Sequence, residues 1–161
     1  MTNYWHRAVV WHLMLLFVMA GLALVPLAGR AEAAASRDEV KALTLKAAEI
    51  VATRSLDEAR RIFHNDTAFK HDEIYVNVID LNGVWLVYPP RPAAEGQSVI
   101  NVKDADGKAL VQEIIRIARE QGEGWVEYRW FNPVSNRIEQ KITFVERVAH
   151  KDMITYIGIY K

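Results

Sequence analysis

The chain has 161 residues, 20 basic side chains against 20 acidic ones, and no cysteine. Its length suits a single domain, and the charge balance leaves no global field that would draw nucleic acid or anionic lipid. Without thiols there are no disulfides, c-type haem attachments, thiolate metal sites or cysteine nucleophiles.

From Ala8 to Gly29 there is no Asp, Glu, Lys or Arg, and His12 is the only titratable side chain. Arg7 precedes this run, and Arg30 with Ala31-Glu32-Ala33-Ala34-Ala35 follows it. A basic start, an apolar stretch and an A-x-A site read as a secretory signal peptide, cut after Ala33 or Ala35. The run also reaches the length of about 20 residues that spans a bilayer, so an uncleaved anchor is the alternative. Residues 1–35 are assigned to export and residues 36–161 to one domain outside the cytoplasm, periplasmic or secreted, membrane-anchored if uncleaved.

Ser36-Arg37-Asp38-Glu39 fits a capping box, and Val40, Leu43, Ala47, Ile50 and Val51 follow at helical spacing. Ser55-Leu56-Asp57-Glu58 repeats the box before Ala59, Ile62 and Phe63, which predicts one long helix broken or kinked near Ser55. Tyr75 to Asp80 and Val84 to Tyr88 are β-rich, with Asn82-Gly83 as a two-residue hairpin turn between them. That register sets Leu81 opposite Val84, Ile79 opposite Leu86 and Asn77 opposite Tyr88. One face then carries Val76, Val78, Trp85 and Val87 for a helix to cover; the other carries Tyr75, Asn77, Ile79, Leu86 and Tyr88.

Tyr88-Pro89-Pro90-Arg91-Pro92 ends the strand, and irregular chain runs to Asp104. A third helix is predicted from about Asp106-Gly107, with Leu110, Val111, Ile114, Ile115 and Ala118 on one side, stopping at Gly122 or Gly124. Three strands follow, Trp125 to Phe131, Glu139 to Val148 and Met153 to Tyr160, joined by turns at Asn132-Pro133-Val134-Ser135-Asn136 and His150-Lys151-Asp152. Strands joined mostly as hairpins and covered by helices make an α+β domain with an antiparallel sheet.

Tyr75-Val76-Asn77-Val78-Ile79-Asp80-Leu81-Asn82-Gly83, Tyr88-Pro89, Glu95-Gly96-Gln97, Lys103-Asp104-Ala105-Asp106-Gly107-Lys108, Gly124-Trp125-Val126-Glu127-Tyr128-Arg129-Trp130 and Gly158-Ile159-Tyr160 together resemble a single Cache domain. This is the extracytoplasmic, PAS-like sensor module of bacterial chemoreceptors and histidine kinases. The resemblance covers nearly all of residues 36–161. It implies a long N-terminal helix on one face of a five- or six-stranded antiparallel sheet, and a ligand pocket under a loop-and-helix insert from about Pro89 to Gly122. It implies small organic acids as ligands. Two departures stand out: Tyr88-Pro89-Pro90-Arg91 replaces the family's His-Pro followed by Asn, and Tyr156 replaces the first glycine of its Gly-x-Gly-Ile-Tyr strand.

A buried carboxylate needs a cation or several N–H and O–H donors, and a short alkyl tail needs aromatic walls. Lys141 shares a strand face with Thr143, and the family pattern places a lysine there, so Lys141 is the expected carboxylate partner, with Arg91 second. Tyr88 and Tyr128 are expected as hydrogen-bond donors, Trp130 as an apolar wall, and Asn77 and Tyr156 as residues that tune size and polarity. Each has a plainer reading: a strand lysine is ordinarily solvated, Tyr128 and Trp130 serve equally as core, and an arginine in a proline-rich loop ordinarily faces water.

Val102 to Glu113 nearly fits a calcium loop but has Val102 where an Asp ligand is required, so its aspartates are read as helix caps. His64, Asp66, His71 and Asp72 lack zinc-ligand spacing. No nucleophile–base motif occurs, and neither metal nor cofactor is expected. The expected function is binding or sensing of a C2–C4 carboxylate. Since the chain stops at Lys161, directly after the last strand, the ligand state is expected to pass to a membrane-bound signalling or transport partner. A partner-docking module with an empty or plugged pocket is the alternative, and a small periplasmic enzyme a weaker one.

Overall fold

A computed structural model describes residues 35–132 and 134–161; the expected export segment lies outside them except for Ala35. The elements in chain order are α1 (Arg37–Thr53), α2 (Leu56–Asn65), β1 (Lys70–His71), β2 (Ile74–Tyr75), β3 (Asn77–Asp80), β4 (Trp85–Val87), a 3-10 turn at Pro92–Ala94, α3 (Leu110–Glu120), β5 (Glu123–Asn132), β6 (Arg137–Arg147) and β7 (Met153–Tyr160). β1 and β2 form a small ribbon, and the other strands build a five-stranded sheet in the order β4-β3-β7-β6-β5. Every neighbouring pair is antiparallel. This is the α+β, PAS-like arrangement the sequence led us to expect, with five strands in the main sheet. Among the described residues, no helix is long and apolar enough to cross a membrane.

The helix starts follow their caps. Ser36 Oγ accepts the Glu39 N–H, and the Glu39 carboxylate accepts the Ser36 N–H at 2.7 Å, so both arms of the box form. At Ser55 only one arm forms: the hydroxyl accepts the Glu58 N–H at 3.2 Å, while the Glu58 carboxylate pairs with Arg54 at 2.6 Å. Arg54 is extended, so the helical stretch is broken into two beside Ser55, where the second capping box led us to expect a break or kink. Lys151 donates to the carbonyls of Val51 and Arg54 and so satisfies the end of α1.

Two cores flank the sheet. On one side Val40, Ala47, Val51, Ala59 and Phe63 of the first two helices meet Val76, Val78, Val87, Ile142, Phe144, Ile157 and Ile159. On the other, Leu110, Val111, Ile114 and Ile117 of α3 meet Ile79, Val126, Tyr128, Val145, Ile154 and Tyr156. Strict alternation along β6 and β7 sends neighbouring side chains to opposite cores.

The first hairpin departs from the expected register. Val78 does pair with Val87, as expected, but Ile79 pairs with Trp85, and a bulge separates the two pairs. The cause lies in the turn. The Asp80 carboxylate accepts the N–H groups of Asn82 and Val84 at 2.9 and 2.8 Å, and the Gly83 N–H reaches the Asp80 carbonyl. Gly83 sits at φ +77°, and a Cβ there would lie 3.0 Å from Ile100 Cα. Asn82 does not take the positive φ that a two-residue turn requires of it; the glycine alone does, as in a turn closed by a bulge. Leu86 therefore packs with the α1 core, and Trp85 crosses to the α3 side, the reverse of the expected faces.

The start of α3 also differs. The aspartates of the 104–108 loop do not cap it: the residue before the helix is Ala109, which supplies no side-chain cap. Asp104 instead accepts the N–H groups of Asp106, Lys108 and Arg129, tying the loop to β5. Backbone bonds already used within this loop delay the helix to Leu110.

Asp80→Ala removes the carboxylate oxygen that accepts both turn N–H groups and is expected to destabilise the chain by about 1–3 kcal/mol. Equilibrium urea unfolding measures this; a midpoint equal to that of the parent would show that the turn does not depend on the carboxylate.

Candidate functional site

The insert between β4 and β5 roofs the second face by holding both edges of the sheet. At the β4 edge, Trp85 N–H bonds to the Gln97 carbonyl, Gly96 N–H to that of Trp85 and Val99 N–H to that of Gly83. At the β5 edge, Ala105 N–H bonds to the Arg129 carbonyl. Glu95 adds a charged clamp from beneath: its carboxylate accepts the Tyr88 N–H at 2.7 Å, pairs with Arg60 at 3.0 Å and meets His64 Nε2 at 2.7 Å. The Tyr88 end of the wall is thereby fastened to α2.

Under this roof lies a cavity of about 30 Å³, lined by Tyr75, Asn77, Trp85, Tyr88, Val102, Leu110, Val111, Ile114, Tyr128, Trp130 and Tyr156. Six of the lining side chains are aromatic. Trp85 and Tyr88 stack with centroids 4.1 Å apart, and Tyr75 meets Tyr88 edge-on at 6.2 Å. Tyr128 meets Trp130 edge-on at 6.1 Å. The polar atoms are fixed by one another: Tyr128 Oη and Thr143 Oγ1 share a 2.8 Å bond, Trp85 Nε1 donates to Tyr156 Oη at 3.2 Å, and Asn77 Nδ2 donates to the Tyr156 carbonyl at 3.4 Å. Burial pushes the phenols of Tyr75, Tyr128 and Tyr156 above their ordinary range, so they remain protonated hydrogen-bonding groups.

Lys141 lies beside this cavity and is 2% exposed. Its ammonium donates to Tyr75 Oη at 3.1 Å and sits 4.7 and 4.3 Å from the ring centroids of Tyr75 and Tyr160. Among the described residues, no carboxylate forms an ion pair with it. Burial draws its pKa down to about 8, and the more distant charge of Glu73 only partly opposes this. The side chain reaches its position because Gly158, across the β6–β7 pair, has none: a Cβ there would lie 2.7 Å from Lys141 Cε and 2.2 Å from Thr143 Oγ1.

Of the residues singled out from sequence, Asn77, Tyr88, Tyr128, Trp130 and Tyr156 converge on one cavity, and Lys141 abuts it through Tyr75. Arg91 is not in the lining; it is exposed on the loop, close enough for its charge to act on the Tyr88 phenol. Tyr75, Trp85 and the α3 side chains were not singled out. Alternation already set Tyr75 on the face of Asn77, so a signal for it existed, whereas Trp85 reaches the cavity only through the bulge. His64, Asp66, His71 and Asp72 do not come together as a cluster: His64 serves the Glu95 clamp, Asp66 accepts the Ala68 N–H, and His71 contacts the Thr67 carbonyl.

An antiparallel sheet with helices on one face and a roofed, aromatic, hydroxyl-rich cavity on the other defines a PAS-like sensor domain. The single Cache domain 2 family matches residues 36–161, and the chain belongs to that family, whose members are extracellular sensor domains. Two similar proteins are the methyl-accepting chemotaxis protein McpP of Pseudomonas putida, 28% identical over 92 residues, and the sensor histidine kinase MctS of Rhizobium johnstonii, 28% identical over 86 residues. The matches take in 57% and 53% of this chain but only 17% and 18% of those proteins. In fold, the chain is similar to a Cache chemosensory domain solved for its recognition of carboxylic acids, with a TM-score of 0.67 at 22% identity over 76% of this chain and 91% of that one.

A buried cation without an anion costs stability. Lys141→Met is expected to stabilise the ligand-free protein at pH 7 by about 1–4 kcal/mol. In the parent, the unfolded lysine holds its proton up to about 10.5 and the folded one only to about 8. The unfolded state therefore binds more protons in that window, and parental stability rises as pH climbs through it. Urea titrations at several pH values test this; a rise that persists in Lys141→Met would assign it to another group.

Proposed function

We propose that this Cache domain binds a small monocarboxylate outside the cytoplasm and passes its ligand state to a membrane-bound signalling or transport partner. The observation that carries this reading is the Lys141 ammonium, buried, without an ion-paired carboxylate among the described residues, and hydrogen-bonded through Tyr75 to a cavity whose polar lining groups are phenols, an amide and two indoles. An incoming carboxylate supplies the missing charge, and Tyr75 Oη, already hydrogen-bonded to Lys141, is the natural second donor. The aromatic walls take the alkyl portion and exclude water, which strengthens the ion pair. The exported location follows from the apolar run and A-x-A site in residues 1–35.

The cavity is small, about 30 Å³. Trp85 and Tyr88 form the wall that the Glu95 clamp connects to α2, which gives ligand entry a mechanical outlet on the far side of the sheet. The small free volume also supports a second reading, in which Tyr156 and Trp85 plug the site and the domain serves only as a docking module.

Thermal unfolding of the purified chain against C2–C4 carboxylic acids separates the two. Binding predicts stabilisation by one or more acids, about 2.7 kcal/mol at a hundredfold excess over Kd, lost in Lys141→Met. It also predicts that affinity weakens as pH rises through about 8, where the free ammonium deprotonates. A folded chain that no acid stabilises favours the docking reading.

A further inference from the structure

Resting on the carboxylate reading, we infer that Tyr156 is the residue that sets the length of the acid: it confines the ligand to two carbons. The geometry along β7 makes the case. Tyr156, Gly158 and Tyr160 are alternate residues and so point to the same face of the strand. Tyr160 stacks its ring on the Lys141 ammonium, Gly158 leaves the notch through which the lysine passes, and Tyr156 stands at the opposite side of that notch. Two residues of strand separate Gly158 from Tyr156, about 7 Å of backbone. In this arrangement the Tyr156 ring is the end wall for the alkyl portion of a carboxylate held by Lys141 and Tyr75.

That ring has little freedom to withdraw. Tyr156 is 7% exposed, and its hydroxyl accepts the Trp85 indole N–H at 3.2 Å. Its strand is held on both sides, by Asn77 of β3 and Val145 of β6. Trp85 is itself stacked on Tyr88, so the end wall is braced by three aromatic rings in series. Each further methylene would have to displace this braced group, whereas the two-carbon acid presents only a methyl or hydroxymethyl to it. Packed aromatic walls resist displacement far more than a flexible aliphatic end would.

Isothermal titration of the purified chain with acetate, propionate and butyrate tests the inference in the parent, Tyr156→Ala, Tyr156→Phe and Lys141→Met. The parent is expected to bind acetate at least tenfold tighter than butyrate. Tyr156→Ala should reduce that ratio at least tenfold by gaining butyrate affinity, Tyr156→Phe should keep it because the ring remains, and Lys141→Met should lose all three acids. Tyr156→Leu, checked by circular dichroism, replaces the alanine variant if that one does not fold, and should give an intermediate ratio. Lysine-dependent binding with an acetate-to-butyrate ratio unchanged by removal of the ring overturns the role of Tyr156 and leaves the carboxylate reading standing. Folded proteins that bind no acid overturn both. Binding by Tyr156→Ala alone makes the ring a plug and overturns the inference.

Discussion

The central strand β7 is buried from Ile154 to Tyr160 without a break, and most of the architecture follows from that burial. A strand covered on both faces needs two layers, and alternation assigns every second side chain to each. Thr155, Ile157 and Ile159 go to the α1 side, where an apolar helical stripe meets them. Ile154, Tyr156, Gly158 and Tyr160 go to the insert side, and that set is mixed: one aliphatic residue, one glycine and two phenols. A face of this composition cannot be sealed by an apolar helix alone, because its hydroxyls need partners once water is removed. The bulge between β3 and β4 meets the need by bringing Trp85 to one phenol, while the Phe131 carbonyl accepts from the other at 2.7 Å.

Lys141 is the element this packing leaves unresolved. Its aliphatic stem is accommodated by Gly158 and its charge is softened by two ring faces, but rings do not replace an anion. Its lowered pKa expresses the same imbalance: burial costs the ammonium its hydration, so the charged form is held less firmly than in water. Groups perturbed in this way beside a cavity cluster at functional sites. The cavity and the cation thus form one unit, with Tyr75 as the hydrogen-bonded hinge between them.

The clamp at Glu95 links this unit to the rest of the molecule. A single carboxylate with three partners joins the backbone of Tyr88 to two side chains of α2, and Arg60 also donates to the Leu86 carbonyl at 3.2 Å. The wall of the cavity and the helix layer on the opposite face are therefore joined by charge-assisted bonds as well as by the sheet itself.

Periodicity and caps made much of this legible in advance. Ser36, the 2-residue alternation of β6 and β7 and the 3.6-residue stripe of α3 are local features, and local backbone geometry decides them. The resemblance to Cache domains then drew Asn77, Tyr88, Arg91, Tyr128, Trp130, Lys141 and Tyr156 into one neighbourhood, and all but Arg91 and Lys141 line the same cavity. What the sequence did not reveal depends on competition between nearby groups. Asp80 outbid the two-residue turn for the N–H groups of Asn82 and Val84, inserted a bulge, and turned Trp85 to the opposite face. Asp104 tied its loop to β5 and shortened α3. The burial of Lys141 was likewise beyond sequence, because its stem passes over a glycine 17 positions later, which β6–β7 pairing sets opposite Thr143. Pattern fixes which side of an element is apolar; only the folded chain settles which polar group reaches a shared partner first, and with it the shape of the site.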